Sequence, residues 1–211
     1  MSASAGLHCF PESVFEHALR HGVRVAAGRR DGKRPSSWLA DLSCLPAWLL
    51  VGHTARHEVA RWCGEEPAMF QRYALPDGLW LVRLGNARYL LGAQPEAAVD
   101  WTHLPDRVAT LPVVLPAESA QFALGGQAAL DILRELCDFD PEALAQPEAY
   151  VPLLVAHHEA ALLREGDTFI LRAAAADGDS LGRALASALT ARGGHLIGYD
   201  DYQRLRKGAS S

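Results

Sequence analysis

Two apolar segments joined by a short turn place the strongest constraint on how this 211-residue chain can fold. Residues 79–84 and 88–91 are rich in Leu, Val, Trp and Tyr, and Gly85, Asn86 and Ala87 separate them. This pattern is typical of a β-hairpin, because the turn residues reverse the chain while the two strands bury their apolar side chains together. The sequence therefore predicts antiparallel sheet near its middle.

Other short apolar segments predict further strands of the same kind. The segment 45–51 closes on Gly52, and Glu165-Gly166-Asp167 predicts a tight turn between two later strands. The remaining predicted strands are 112–115, 120–124, 151–156, 160–163 and 168–172.

Several segments instead show the three-to-four-residue spacing of an amphipathic helix. One follows Gly52, with Thr54 as the expected cap and Gly64 as its end, and three more are expected at 11–20, at 127–136 and from Asp179 to Gly193. Helices mixed with hairpins predict an α+β fold that is mainly antiparallel sheet with helices on one face.

Composition along the chain indicates three parts. Residues 1–44 are expected to form an N-terminal arm that contains a basic, glycine-rich loop at 28–37, and residues 45–198 an α+β domain. Residues 199–211 are expected to be a polar, frayed tail.

Charge and cysteine usage exclude several classes of function. Lys and Arg number 20 against 25 Asp and Glu, which gives a net charge of −5 and argues against nucleic acid as a partner. Segments such as 45–52 are too short to cross a bilayer, and residues 1–10 lack the pattern of a targeting peptide. The four cysteines form no CxxC pair, which favours reduced thiols and a cytoplasmic location.

Motifs that carry chemistry are missing from the sequence. It contains no GxxxxGK[ST], GxGxxG or GxSxG, so no catalytic residue is assigned and any cofactor-binding residue stays unknown. No metal site is expected either: His53, His57 and Cys63 lack the HExxH order, and His157 and His158 would point to opposite faces of a strand.

Other polar or reactive residues have structural interpretations. Gly125-Gly126 predicts a tight turn from strand to helix, and Cys137 is expected to be packed rather than reactive. The carboxylate pairs Asp138/Asp140 and Asp200/Asp201 are expected to serve as cap and tail groups.

Four blocks of sequence between Leu45 and Leu189 carry a resemblance to a known family. They are the strand that closes at Gly52 with its following helix, the hairpin Trp80–Leu91, the strand-to-helix block Phe122–Leu133 followed by Cys137-Asp138-Phe139-Asp140, and the strands and closing helix from Val151. Together they resemble the gamma subunit of heterotetrameric sarcosine oxidase, a relative of the aminomethyltransferase fold. One departure is that Val114, Pro116 and Ser119 stand where that family shows a D-x-S-x-x-R stretch.

The resemblance implies both a fold and a role. It implies two ferredoxin-like halves resembling the aminomethyltransferase folate-binding fold, and a non-catalytic structural subunit of a heteromeric amine oxidase or demethylase. The implied partners are flavin-containing oxidase subunits of the alpha and beta type. In such complexes flavin, NAD and folate are bound by the partner subunits, so the resemblance implies no cofactor in this chain.

Two other functions stay open on the sequence. One is a stand-alone one-carbon protein that binds tetrahydrofolate in a remnant pocket. The other is an interaction adaptor that uses Arg29, Arg30, Lys33 and Arg34 on an acidic partner.

Overall fold

The computed structural model describes residues 16–20, 23–27, 35–95, 113–116, 119–138, 140, 146 and 148–209. The described strands are β1 (Glu16–Arg20), β2 (Val23–Ala27), β3 (Ser37–Asp41), β4 (Ala47–Val51), β5 (Arg72–Ala74), β6 (Leu79–Gly85), β7 (Arg88–Ala93), β8 (Val113–Pro116), β9 (Ser119–Gly126), β10 (Tyr150–Val155), β11 (His158–Glu165), β12 (Thr168–Ala174) and β13 (His195–Ile197). The described helices are α1 (His53–Cys63), α2 (Ala129–Leu136), α3 (Gly178–Thr190) and α4 (Tyr199–Ala209).

A six-stranded sheet in the order β10-β11-β12-β9-β3-β13 forms one half of the fold. Its neighbours are antiparallel except for β13 and β3, which run parallel. Helices α2 and α3 cover one face through a core that includes Leu39, Phe122 and Leu124. Helix α4 covers part of the other face, where Tyr202 packs with Trp38.

A five-stranded antiparallel sheet in the order β5-β6-β7-β4-β8 forms the other half. Its central hairpin, β6 and β7, is the one predicted from sequence, and Ala55 and Val59 of α1 pack against it with Leu50 and Tyr89. The predicted α+β class is confirmed, with two sheets dominated by antiparallel pairing.

The expectation that helices lie on one face is wrong for the six-stranded sheet. Every residue of β3 is buried, because α3 packs on one side of that strand and α4 on the other. A strand that is buried on both faces does not alternate polar and apolar residues. Its sequence therefore does not show which of its two faces a helix covers.

The predicted boundaries at both ends of the chain are also wrong. Strand β3 lies inside the six-stranded sheet between β9 and β13, so residues 37–41 belong to the domain rather than to an arm. Residues 199–209 form a helix whose Tyr202 is 1% exposed, rather than a frayed tail. The expected helix at 11–20 is wrong for 16–20, which pair with 23–27 as a hairpin, while 11–15 and the basic residues 28–34 lie outside the described part.

Helix starts differ from the predictions by a few residues. Gly52 rather than Thr54 precedes α1, and α3 begins at Gly178 after a short turn rather than being capped by Asp179. The predicted turn at Gly125-Gly126 is confirmed, and Gly126 adopts a φ of 90° there. Strands β5 and β13, each of three residues, were not predicted.

Residues 69–71 join the two sheets. Met69 forms a bridge with Arg83 of β6, and the Phe70 carbonyl accepts a hydrogen bond from the Tyr150 amide of β10 at 2.8 Å. Gln71 then bridges Ala149. This connection holds the edge of the five-stranded sheet beside the edge of the six-stranded one.

Candidate functional site

A cleft opens where the two sheets meet α4. Its empty space measures about 420 Å³, which includes space open to solvent. Much of its wall is apolar, formed by Leu42, Leu45, Trp80, Leu163, Ile170 and Tyr202. A cleft with apolar walls and a few polar groups is the usual form of a small-molecule site.

Four polar side chains from the six-stranded sheet line this cleft: Gln121, Tyr150, Glu165 and Arg172. The strand register places them on one face, because Arg172 lies opposite Gln121 of β9 and opposite Ala161 of β11. Gln121 is 7% exposed and Arg172 is 8% exposed. Both are therefore polar residues held in a largely apolar environment.

Burial and mutual proximity shift the ionisation of two of these groups. Burial lowers the pKa of the Arg172 guanidinium, and the nearby Tyr150 hydroxyl opposes that change. Burial raises the pKa of Tyr150, and the positive charge of Arg172 opposes that change. The cleft thus holds a cation and a phenol within electrostatic range of each other.

An ion-pair network forms one wall. Glu165 of β11 accepts hydrogen bonds from Arg72 of β5, and from Nη1 of Arg206 of α4 at 2.5 Å. The Arg72 side chain is 4% exposed, and its guanidinium carbon lies 5.9 Å from the centroid of the Trp80 ring. The network therefore ties together both sheets and the last helix.

Helix α4 is fixed to the cleft at a second point. The Tyr199 hydroxyl and the Gln203 amide both donate to the carbonyl of Pro95, at 3.1 and 2.7 Å. Pro95 follows β7, so α4 is attached to the five-stranded sheet as well as packed on the six-stranded one.

The histidines considered as metal ligands lie elsewhere. His53 and His57 are exposed on α1, and no three His, Cys, Asp or Glu side chains converge on a metal-sized site within the described residues. His157 lies in the turn before β11 with a φ of 68°, so its predicted strand position is wrong. The Nδ1 of His158 lies 3.2 Å from Oδ1 of Asp177.

The cysteines and paired carboxylates also lie away from the cleft. Cys137 is buried as expected, and desolvation raises the pKa of its thiol to about 11. Cys44, Cys63 and Cys137 are not in disulfides, whereas Cys9 lies outside the described residues. Asp138 and Asp140 are exposed after α2, and the other predicted pair lies in the first turn of α4.

Sequence reasoning missed Gln121, Tyr150 and Arg172. A weak signal existed, because Gln121 interrupts the apolar strand segment 120–124 and Arg172 ends the segment 169–172. Polar residues inside an otherwise buried strand are uncommon and indicate either a partner or a cavity. Among the tryptophans, Trp38 is buried, and Trp48 and Trp62 lie against the core of the five-stranded sheet. Trp101 lies outside the described part.

No helix in the described part of the chain is both long and apolar enough to span a bilayer.

Comparison with known proteins bears on the fold. The sequence matches no protein-family model and no curated protein at a significant level. A chain of heterotetrameric sarcosine oxidase from Corynebacterium sp. U-96 matches at a TM-score of 0.59 and 18% identity, covering 81% of this chain and 86% of that one. Aminomethyltransferase T of the glycine cleavage system from Bartonella henselae matches at a TM-score of 0.64 and 18% identity, covering 87% of this chain.

These matches confirm the resemblance inferred from sequence at the level of the fold. This chain has the α+β fold that the two proteins share over most of its length. It spans only 56% of the aminomethyltransferase chain.

Proposed function

We propose that this chain is a non-catalytic structural subunit of a heteromeric amine oxidase or demethylase of the sarcosine oxidase type. The observation that carries the proposal is the extent of the two matches. The aligned region covers 86% of a chain from a heterotetrameric oxidase, but only 56% of the aminomethyltransferase. The chain thus corresponds in size to one whole subunit of an assembly.

An exposed apolar region supports a partner role. Met69, Phe70 and Leu154 are the large apolar side chains that are exposed among the described residues. Phe70 is hydrogen-bonded to Tyr150 at the start of β10, and Leu154 lies further along the same edge strand. Exposed apolar groups near a sheet edge favour burial against another chain.

The proposed partners are flavin-containing oxidase subunits of the alpha and beta type. Flavin, NAD and folate would be bound by those subunits, and the complex would work in the cytoplasm, where cysteines such as Cys44 and Cys63 stay reduced.

A pull-down from the native cell lysate tests the proposal. The tagged full-length chain is captured at physiological salt, and the eluate is examined for flavin absorbance and for chains that carry a GxGxxG sequence. We expect flavin-containing chains in fixed ratio to the bait. A colourless, monomeric bait would overturn the proposal.

A variant makes the test specific. Leu154→Glu places a charge on the exposed apolar edge and should reduce flavin recovery, while Arg204→Gln, an exposed change on α4, should leave it unchanged. The adaptor alternative predicts instead a colourless acidic partner, lost when Arg29, Arg30, Lys33 and Arg34 become Ala; these residues lie outside the described part.

A further inference from the structure

Helix α4 forms one wall of the cleft and covers an apolar surface of the six-stranded sheet. Its Tyr202 and Arg206 side chains line the cleft, and the Tyr202 ring packs against that of Trp38. The apolar surface under α4, called the floor from here on, comes from four strands and includes Trp38, Ala40, Ala123, Leu163 and Ile170. Leu163 and Ile170 also line the cleft, so the floor continues into it. Any movement of α4 therefore changes access to the cleft.

Helix α4 has few apolar contacts with the floor. Among residues 199–207, Tyr202 is the one buried side chain, while Tyr199 and Leu205 are half-buried against the same cluster. Helix α3, on the opposite face of the sheet, buries seven of its thirteen residues. Because buried apolar surface is the main force that holds a helix on a sheet, α4 is attached less tightly than α3.

Polar contacts provide the other attachments of α4. Gln203 and Tyr199 donate hydrogen bonds to the Pro95 carbonyl, at 2.7 and 3.1 Å. Arg206 donates to Glu165 at 2.5 Å, and water reaches this ion pair, since the two side chains are 25% and 18% exposed. Hydrogen bonds to water replace such contacts when a helix leaves a sheet, so each adds only modestly to the attachment.

The connections of α4 allow it to move alone. Gly198 is the single residue between β13 and α4, and β13 is a three-residue strand at the edge of the six-stranded sheet. Besides the floor and Pro95, α4 lies against β2, which belongs to the separate two-stranded hairpin. Every strand pair of the two large sheets is formed without α4, so a swing of the helix about Gly198 leaves those pairs intact.

We propose that α4 is a lid, which opens about Gly198 as one unit while both large sheets stay folded. In the closed state the Tyr202 ring covers the floor, and the polar contacts with Pro95 and Glu165 fix the position of the helix. In the open state the floor is exposed but keeps its shape, because α2 and α3 hold the other face of the sheet. The lid therefore controls when the apolar floor of the cleft is accessible.

This inference goes beyond the proposed subunit role and does not depend on it. The opening of α4 is measured on the purified full-length chain, whereas the subunit role is tested by the capture of partner chains. A lid that stays closed and a failed pull-down are therefore separate results.

Thiol labelling measures the opening. Ala40→Cys places a thiol in the floor, and Ala120→Cys places one in the core that α3 covers on the opposite face of the same sheet. Both alanines are fully buried, and each change adds a single sulfur atom. The full-length variants are labelled with iodoacetamide in the absence of denaturant, and mass spectrometry of the peptides separates the new thiol from the native ones. Urea unfolding corrects the two rates for any difference in global stability.

Opening of the lid exposes only the first of these thiols. We expect the thiol of Ala40→Cys to react at least about tenfold faster than that of Ala120→Cys, because local opening is more frequent than unfolding of the core. Equal rates would overturn the proposal, since both thiols would then report global unfolding. Circular dichroism checks folding, and if Ala40→Cys does not fold, Ala123→Cys replaces it. Ala123 is fully buried and lies directly opposite Ala40 across β3 and β9.

A second change relates the opening to the polar attachments of α4. Arg206→Gln removes the charge that pairs with Glu165, and it should raise the labelling rate of Ala40→Cys about fivefold. The rate of Ala120→Cys should not rise. The matched change is Arg204→Gln on the same helix, where the side chain is 73% exposed, and it should leave both rates unchanged. An equal rise for both thiols after Arg206→Gln would show that the whole protein is destabilised and would contradict a separate lid.

Discussion

The indole ring of Trp38 occupies the space that a side chain at Gly125 would need. A Cβ built on Gly125 would lie 2.3 Å from the Trp38 ring, and the two residues are direct cross-strand partners between β3 and β9. The same arrangement recurs in the five-stranded sheet, where a Cβ on Gly92 would lie 2.2 Å from the ring of its partner Trp80. Each sheet thus packs a tryptophan over a glycine.

Gly125→Ala should therefore destabilise the protein. The added methyl group forces the Trp38 ring out of its place, and overpacking of this kind costs about 2 kcal/mol. Urea unfolding would measure the change as a lower midpoint. Gly85→Ala is the control, because the nearest contact of its Cβ would be 3.7 Å away and its effect should be much smaller. If both variants unfold at the same urea concentration, the close packing of Trp38 on Gly125 is not present in solution.

Tyr202→Ala tests whether the last helix is part of the core. The Tyr202 ring centroid lies 5.6 Å from that of Trp38, and the side chain is almost fully buried. Removing a buried aromatic ring costs about 3 kcal/mol, so Tm should fall by several degrees. Arg204→Ala on the same helix, whose side chain is 73% exposed, should change Tm little. If residues 199–209 were instead a frayed tail, both variants would have the same Tm as the wild type.

Glu165→Gln should destabilise the contact between the sheets and α4. It removes the charge that faces the buried Arg72 guanidinium, and breaking a buried pair on one side costs about 3 kcal/mol. Asp201→Asn is the matched change in an exposed pair, with Arg204, and should cost under about 1 kcal/mol. Guanidinium chloride unfolding would measure the unfolding free energy of both variants. Equal losses of unfolding free energy would mean that the ion pairs of Glu165 are exposed to solvent.

Cys137 should be the slowest cysteine of the described part to react with iodoacetamide. Its pKa of about 11 leaves about one thiol in a thousand as thiolate at pH 8, and its side chain is buried. Cys63, which is half-buried, serves as the internal reference, and mass spectrometry of the labelled peptides gives both rates. Labelling of Cys137 as fast as Cys63 in the folded protein would contradict the packing of α2 against β10.

The raised pKa of the Cys137 thiol predicts that the stability of the protein depends on pH. Folding raises the pKa of Cys137 from 9.0 to about 11, so the folded state holds its proton more tightly than the unfolded state. The contribution to stability is complete below about pH 9 and is lost as pH rises towards 11. Cys137→Ala should make the unfolding free energy less dependent on pH in that window, as measured by urea unfolding from pH 8 to pH 11. An unchanged slope would rule out this thiol as a source of alkaline destabilisation.

Local patterns in the sequence determined many of the elements. The hairpin of β6 and β7 follows from apolar segments around Asn86, and α1 follows from the spacing of Ala55 and Val59 up to the left-handed Gly64. These elements are visible because the signal lies within about a dozen consecutive residues, where turn chemistry and helical period act directly.

Long-range pairing decided the rest. Nothing local marks Ser37–Asp41 as a strand between β9 and β13, or residues 199–209 as a helix with a core tyrosine, because both gain their stability from distant partners. The cleft has the same origin: Gln121 and Arg172 become neighbours only through strand register, and Glu165 meets Arg72 and Arg206 only when both sheets and α4 have packed. The sequence by itself determined the class of fold and most of its elements, whereas only the tertiary structure decided the site, because burial and register exist only once distant segments meet.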